Sequence, residues 1–206
     1  IPQQVDYELV RAEMNGLEFD HRVRRPWATN PAFYVTIFPE ESDQPAREGP
    51  FAEGGVELWS YAFPLSAKDA DAVATGVRAV PGLLAQARTN LVGTGKDLWV
   101  FGARDMRQQS AELKALASRL TADQSALAQE IERARTATDE FAAWLESQAA
   151  SKTGPSGVSI ENYDWYVQHV MLLPYTWRDL VPLMERELAR ANSSLVLEEA
   201  KHAALP

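Results

Sequence analysis

Cysteine is absent from this 206-residue chain, and histidine is scarce, at three residues. Without a thiol there is no disulfide, no thiolate zinc site and no cysteine nucleophile. The histidines, His21, His169 and His202, stand far apart. A zinc peptidase helix needs two His four residues apart with a Glu beside the first, and no pair here has that spacing. Each is read as a partly buried or surface side chain. A G-x-S-x-G elbow is also lacking, so Gly154-Pro155-Ser156-Gly157 reads as a turn. In Gly93-Thr94-Gly95-Lys96 the first Gly of a phosphate loop is missing and no apolar strand precedes it, so it reads as a helix break. No catalytic residue, metal ligand or cofactor is assigned within the chain, which holds no complete active site of its own.

Long apolar runs are missing as well. None reaches the roughly 18 residues that a bilayer span needs. Positive charge is in deficit: 20 Lys plus Arg against 29 Asp plus Glu leave a net charge of −9. Such a surface repels phosphate backbones and anionic lipid, and no long Lys/Arg run offsets it. Nucleic acid and membrane span are therefore excluded as expectations. Carboxylate pairs such as Glu40-Glu41 and Glu198-Glu199 point different ways on a helix and read as solvated.

What is present is an ordinary globular composition, 46% hydrophobic and 24% charged, enough to bury a core. The expectation is one soluble helical domain over residues 1–206, either cytoplasmic or exported after loss of a signal segment. The chain opens at Ile1-Pro2 without an initiator Met and closes at Ala203-Ala204-Leu205-Pro206 just after a helical pattern, so both ends read as cut.

Periodicity predicts an all-α bundle of about seven helices with a long irregular loop segment near residues 27–65. A first helix over residues 5–21 carries Val5, Leu9, Met14, Leu17 and Phe19 as an imperfect apolar face, and Arg25-Pro26-Trp27 stops it. Six prolines punctuate the stretch from Pro26 to Pro64. Phe33, Tyr34, Val35 and Ile37 are its expected anchors, a short strand is expected near Val56-Glu57-Leu58-Trp59, and residues 40–55 are expected to be mobile. Ser66 with Asp69 caps a helix to about Val80, and Pro81 fits the first turn of the next, which reaches about Leu91. Leu113, Leu120, Leu127, Ala134 and Phe141 recur every seven residues, with Ala117, Ile131 and Leu145 four after members of that series. This predicts a helical hairpin with a core-facing stripe, restarting near Thr121 and Gln124. After a break at residues 152–157, a short aromatic helix runs over residues 159–173. Thr176 with Asp179 then caps a last helix to about His202, with Leu180, Leu183, Met184, Leu188, Ala191, Leu195 and Leu197 on or near its apolar side.

The most specific chemical feature is the cluster Tyr163, Trp165, Tyr166 and His169. Tyr and Trp pair an apolar body with a polar tip, which suits a pocket wall; plain helix packing is the competing reading. These four are the candidate substrate-binding residues.

Several stretches taken together resemble one family. They are Arg11-Ala-Glu-Met-Asn-Gly-Leu-Glu-Phe-Asp-His21, Arg25-Pro-Trp-Ala-Thr-Asn-Pro-Ala-Phe-Tyr34, Leu58-Trp-Ser-Tyr-Ala-Phe-Pro-Leu65 and Ala79-Val-Pro-Gly-Leu-Leu-Ala-Gln-Ala-Arg-Thr-Asn-Leu91. With them go Phe141-Ala-Ala-Trp-Leu145, Glu161-Asn-Tyr-Asp-Trp-Tyr166 and Leu172-Leu-Pro-Tyr-Thr-Trp177. In this order they resemble the N-terminal region of the bacterial domain-of-unknown-function family 885, which is similar to helical zinc metallopeptidases. The resemblance implies a non-catalytic N-terminal helical portion of a zinc-dependent peptidase or amide hydrolase, forming a wall or lid of the substrate cleft. The family's metal helix lies downstream of this region, so no ligand carries over, and zinc is expected only in a longer protein. The implied partners are the C-terminal portion of the same protein and a peptide substrate. The alternative is a stand-alone helical interaction module without enzymatic activity, using the Leu113 to Leu145 stripe for self-association or partner binding.

Overall fold

The computed structural model describes residues 2–41 and 54–203. The chain is all-α, as its periodicity predicts. Among the described residues the helices are α1 (Pro2–Phe19), α2 (Pro26–Thr29), α3 (Ala67–Asn90), α4 (Lys96–Ser118), α5 (Ser125–Ala149), α6 (Ile160–His169) and α7 (Trp177–Lys201). Two short strands, β1 (Ile37–Phe38) and β2 (Val56–Glu57), pair in parallel. Most of the segment expected to be mobile, residues 42–53, and the closing residues 204–206 lie outside the described residues. The chain divides into two compact units, a core unit Arg25–Gly157 and a terminal unit made of Ile1–Arg24 and Val158–Pro206. The sequence reading, which treats 1–206 as one helical domain, draws no such boundary.

The core unit is built on α3, α4 and α5. The seven-residue repeat closes its interior: Leu113, Leu127, Ala134 and Phe141 are buried and Leu120 is half-buried, with Ile131 and Leu145 buried beside them. Ala117 departs from the expected stripe. It is exposed, and Leu116 is buried in its place, because the α4 face turns toward α5 three residues after Leu113 rather than four. The stripe is therefore largely interior.

α3 is one helix and not the expected two, with Pro81 inside it. Proline removes one backbone donor and crowds the preceding turn, at a cost of about 3 kcal/mol. The unbroken buried face of Val73, Val77, Val80, Leu84 and Ala87 offsets that cost, since two of its members lie beyond the proline. The expected cap at Ser66 forms, its Oγ accepting from the Asp69 backbone N–H at 3.2 Å. At the turn before α5 the Gln124 side chain accepts from the Thr121 backbone N–H at 3.1 Å, but the helix starts only at Ser125, with Gln124 itself at the N-cap and making no side-chain cap bond.

The first part of the irregular segment, residues 25–38, is ordered by the hairpin it crosses. Arg25 takes the left-handed conformation before Pro26, which opens α2. Asn30 caps the turn Pro31–Tyr34 by accepting from the Ala32 N–H. The Tyr34 hydroxyl donates to Trp27 O at 2.6 Å and accepts from Asn90 Nδ2 at 2.9 Å. Burial pushes its pKa up, partly opposed by the Asn90 hydrogen bond. Next, the buried Gln109 side chain accepts from both Thr36 N–H, at 2.7 Å, and Ile37 N–H, at 3.2 Å. Its amide nitrogen donates to Thr138 Oγ1 at 3.3 Å, and Thr138 donates in turn to Ala134 O at 2.8 Å. One amide thus joins β1, α4 and α5. Further along α4, Gly102 lets Pro31 approach: a Cβ there would stand 2.5 Å from Pro31 Cβ. The strand expected over Val56 to Trp59 is only half realised, giving way to a tight turn at Leu58–Ser60.

Two substitutions test this arrangement. Gln109→Ala strands two buried N–H groups, each worth about 1–3 kcal/mol unsatisfied, so urea unfolding of the core unit is expected to lose roughly 2–4 kcal/mol. A loss under about 0.5 kcal/mol would show that the amide does not hold the segment. Gly102→Ala drives a methyl into a proline ring that cannot rotate away, and a fall in Tm of several degrees is expected, whereas Gly82→Ala, with open space around it, leaves Tm unchanged or raised.

Candidate functional site

The four candidate residues lie on α6, in the terminal unit, and the structure divides them between two environments. Ser159 caps α6 by accepting from Asn162 N–H at 3.4 Å, and Asn162 Nδ2 donates to Val158 O at 2.7 Å. These contacts set the helix start, and the 3.6-residue period then places the aromatics.

Trp165, Tyr166 and His169 face α1. The rings of Phe19, Trp165 and His169 form a stack, with centroids 5.8 Å and 5.0 Å apart and planes tilted by 5° and 11°. Tyr166 packs on Phe19 at 4.9 Å with a 56° tilt. Offset and tilted geometries of this kind are worth about 0.5–1.5 kcal/mol beyond area burial. His169 Nδ1 lies 2.9 Å from Trp165 O, which makes that nitrogen the protonated one, and Asn15 Nδ2 donates to His169 O at 3.1 Å. Close approach is secured at Gly16, where a Cβ would stand 3.3 Å from Val170 Cγ1. These three residues hold α1 and α6 together.

Tyr163 stands apart from them. It lines a groove of about 490 Å³ between α6 and α7 with Trp177, Leu180, Val181, Met184 and Leu188, and Glu185 at its rim. The two helices are tied at the groove's end, where Trp177 N–H donates to Asp164 Oδ1 at 2.6 Å. Thr176 and Asp179 complete the capping box that the sequence predicts: Thr176 N–H and Oγ1 donate to Asp179 Oδ2 at 2.9 and 2.7 Å. Those hydrogen bonds, the side-chain one first, hold the Asp179 carboxyl below its ordinary range.

The α7 apolar side is where the structure departs furthest from expectation. No residue of α7 is buried. Leu180 and Leu183 are half-buried, while Val181, Met184, Leu188, Leu195 and Leu197 are exposed. On α1 the expected face divides: Phe19 is buried with Ala12, whereas Val5, Leu9, Met14 and Leu17 are exposed together with Tyr7 and Val10. α1 is apolar on two opposite sides, since residues 12, 16 and 19 fall about half a turn away from residues 7, 10, 14 and 17. Summing both sides into one face is what misleads the sequence reading. Met184 and Leu188, expected on or near the apolar side of the last helix, are groove wall together with Trp177, which that expected side omits; the spacing of four and three from Trp177 through Val181 to Met184 was the available signal.

Among the described residues no three His, Asp or Glu side chains gather as a metal ligand set. His202 Nε2 lies 3.3 Å from Glu198 on its own helix. The implied zinc therefore finds no fitting donors in the described residues, and no step is routed through it. The two glycine turns pair with each other: Gly154 N–H donates to Thr94 O at 2.8 Å, and Ser156 Oγ to Asp97 at 3.4 Å. Both act as structural breaks. No helix among the described residues is long and apolar enough to cross a membrane.

No family model, curated protein or solved structure matches the chain.

The division of α6 gives a clear test. Trp165→Ala removes the middle ring of the stack, and since that ring is half-buried a loss of about 1–3 kcal/mol is expected from the terminal unit. Tyr163→Ala leaves near-wild-type stability by the same chemical denaturation assay. Equal losses would show that Tyr163 is also packed. The Asp179 carboxyl is expected to titrate by NMR below the ordinary aspartate value of about 3.9. A depressed pKa contributes stability that is full above the unfolded value and fades as pH falls through the folded one. Thr176→Val is expected to return the titration toward the ordinary value. An unchanged titration would mean the cap does not form.

Proposed function

We propose that this chain is the non-catalytic helical portion of a larger zinc-dependent peptidase or amide hydrolase, where it forms a wall or lid of the substrate cleft. The observation that supports a docking role is the balance of apolar surface in the terminal unit. Among its described residues only Ala12, Phe19 and Val167 are buried, while Tyr7, Val10, Met14, Leu17, Met184 and Leu188 are each more than 60% exposed. Three buried side chains offset little of the conformational entropy lost in ordering three helices. Apolar surface on this scale marks a contact with more protein. The hydrolase class is supported by the resemblance of the quoted stretches to family 885. In this reading zinc, its ligands and the base would lie in the rest of the same protein, and the metal would supply Lewis-acid chemistry there. The portion described here shapes the cleft and excludes solvent, with Tyr163 and its groove nearest the substrate.

The intact mass of the native gene product in its own cells tests the reading. A mass well above 22.9 kDa is expected, together with peptide hydrolysis that a chelator abolishes and zinc restores. A mass close to 22.9 kDa overturns it.

A further inference from the structure

α7 carries an unpartnered coiled-coil seam. Trp177, Val181, Met184, Leu188, Ala191 and Leu195 follow one another at spacings of four and three, the period that keeps one stripe facing a second helix. Val181, Met184, Leu188 and Leu195 are between 45% and 68% exposed. The first half of the stripe is also one wall of the groove of about 490 Å³ that Tyr163 closes from α6. A partner helix would therefore find a socket for a large apolar side chain at one end and an open seam at the other.

Charge says what kind of helix fits. Carboxylates border the seam, Glu185 and Glu199 along one edge and Glu187 along the other, where Lys201 follows it two heptads on; Glu198 continues the seam itself three residues after Leu195, and Arg186 and Arg190 fall toward the far side of the helix. Glu187 is already matched by Arg190 at 2.7 Å, and Glu198 by Lys201 at 3.4 Å. Glu185 and Glu199 are in no ion pair among the described residues, and they occupy the same flanking position two heptads apart. Arg178 is the one cation on that edge, and it lies over the Trp177 ring at 5.5 Å. A second copy of this chain answers this edge poorly. In a parallel pair Glu185 would face Leu180 and Glu199 would face Ser194; in an antiparallel pair overlapping from Trp177 to Leu195, Glu185 would meet Glu185 of the other copy. Anionic lipid is repelled by the same groups.

We infer that the Trp177 to Leu195 face of α7 binds a basic amphipathic helix, with apolar side chains at heptad spacing seated on the seam and Lys or Arg opposite Glu185 and Glu199. The inference rests on the terminal unit being a docking element, and not on the hydrolase class.

The probe is a synthetic three-heptad peptide with Leu on the seam and Lys on the flanks, labelled for fluorescence anisotropy. Its counterpart carries Glu on the flanks. The Lys peptide is expected to bind the full chain at least about tenfold more tightly than the Glu peptide, a difference of about 1.4 kcal/mol. Glu185→Lys with Glu199→Lys is expected to reverse the preference. Met184→Glu, at an exposed groove-wall position, is expected to leave the circular dichroism spectrum unchanged and to weaken Lys-peptide binding by about tenfold or more. Equal binding of the two peptides overturns the basic chemistry while leaving a docking face. Binding of the Lys peptide that Met184→Glu does not weaken overturns the seam, since charge alone then holds it. A chain that sediments as a dimer and becomes monomeric on Met184→Glu assigns the face to a second copy and overturns the inference, as does binding to neither peptide. A native mass near 22.9 kDa would sink the hydrolase reading without touching these results.

Discussion

A single buried amide carries the order of the core unit. Gln109 sits on α4 with its oxygen turned to two backbone N–H groups of the irregular segment and its nitrogen turned to Thr138 on α5. Backbone donors in a segment without helix or sheet partners must find acceptors or stay in water. Here they find one side chain, so the segment can lie against the hairpin and not above it. The neighbouring contacts build on that position. Pro31 fits against Gly102, and Tyr34 is held between Trp27 and Asn90. The parallel pair of β1 and β2 begins at the very residue, Ile37, whose N–H the amide holds.

The terminal unit has no equivalent. Its order rests on a ring stack through Phe19, Trp165 and His169 and on the caps that start α6 and α7. Rings cover area efficiently, but three of them cannot cover a 25-residue helix. The consequence is chemical as well as mechanical. Side chains that look like a pocket in sequence, Trp165, Tyr166 and His169, are spent on holding two helices together, and only Tyr163 is left facing a groove. The same shortage of packing leaves the α7 seam in solvent, and that is what makes the unit a docking element in the proposed function.

The carboxylates that border the seam belong to the same pattern. An acidic chain with net charge −9 gains little by associating with itself and more by meeting a cationic surface. Ion pairs within α7 neutralise some of these groups and leave others for a partner. On the α4–α5 surface the local pairing is more complete: Arg107 grips Glu146 with two nitrogens at 2.9 Å and reaches Asp139 at 3.3 Å, and the first of these contacts holds Glu146 below its ordinary range. Exposed pairs of this kind add little stability, and they leave that face of the hairpin with its charges already satisfied.

The sequence by itself determined the helical class, the starts of α3 and α7 and which residues recur on one side of the hairpin helices. Ser66 with Asp69 and Thr176 with Asp179 are legible because a cap is a local interaction, complete within four residues. The seven-residue repeat in α4 and α5 is legible because the two helices are joined by a short turn and bury each other. Tertiary structure alone decided which apolar sides are covered. Pro81 lies inside a helix because distant residues reward continuing it, and α1 has two apolar sides of which one meets α6. Helical period fixes the angle at which a side chain leaves its helix, but burial depends on whether another element arrives at that angle. For α7 only α6 does among the described residues, and it leaves Val181, Met184 and Leu188 exposed.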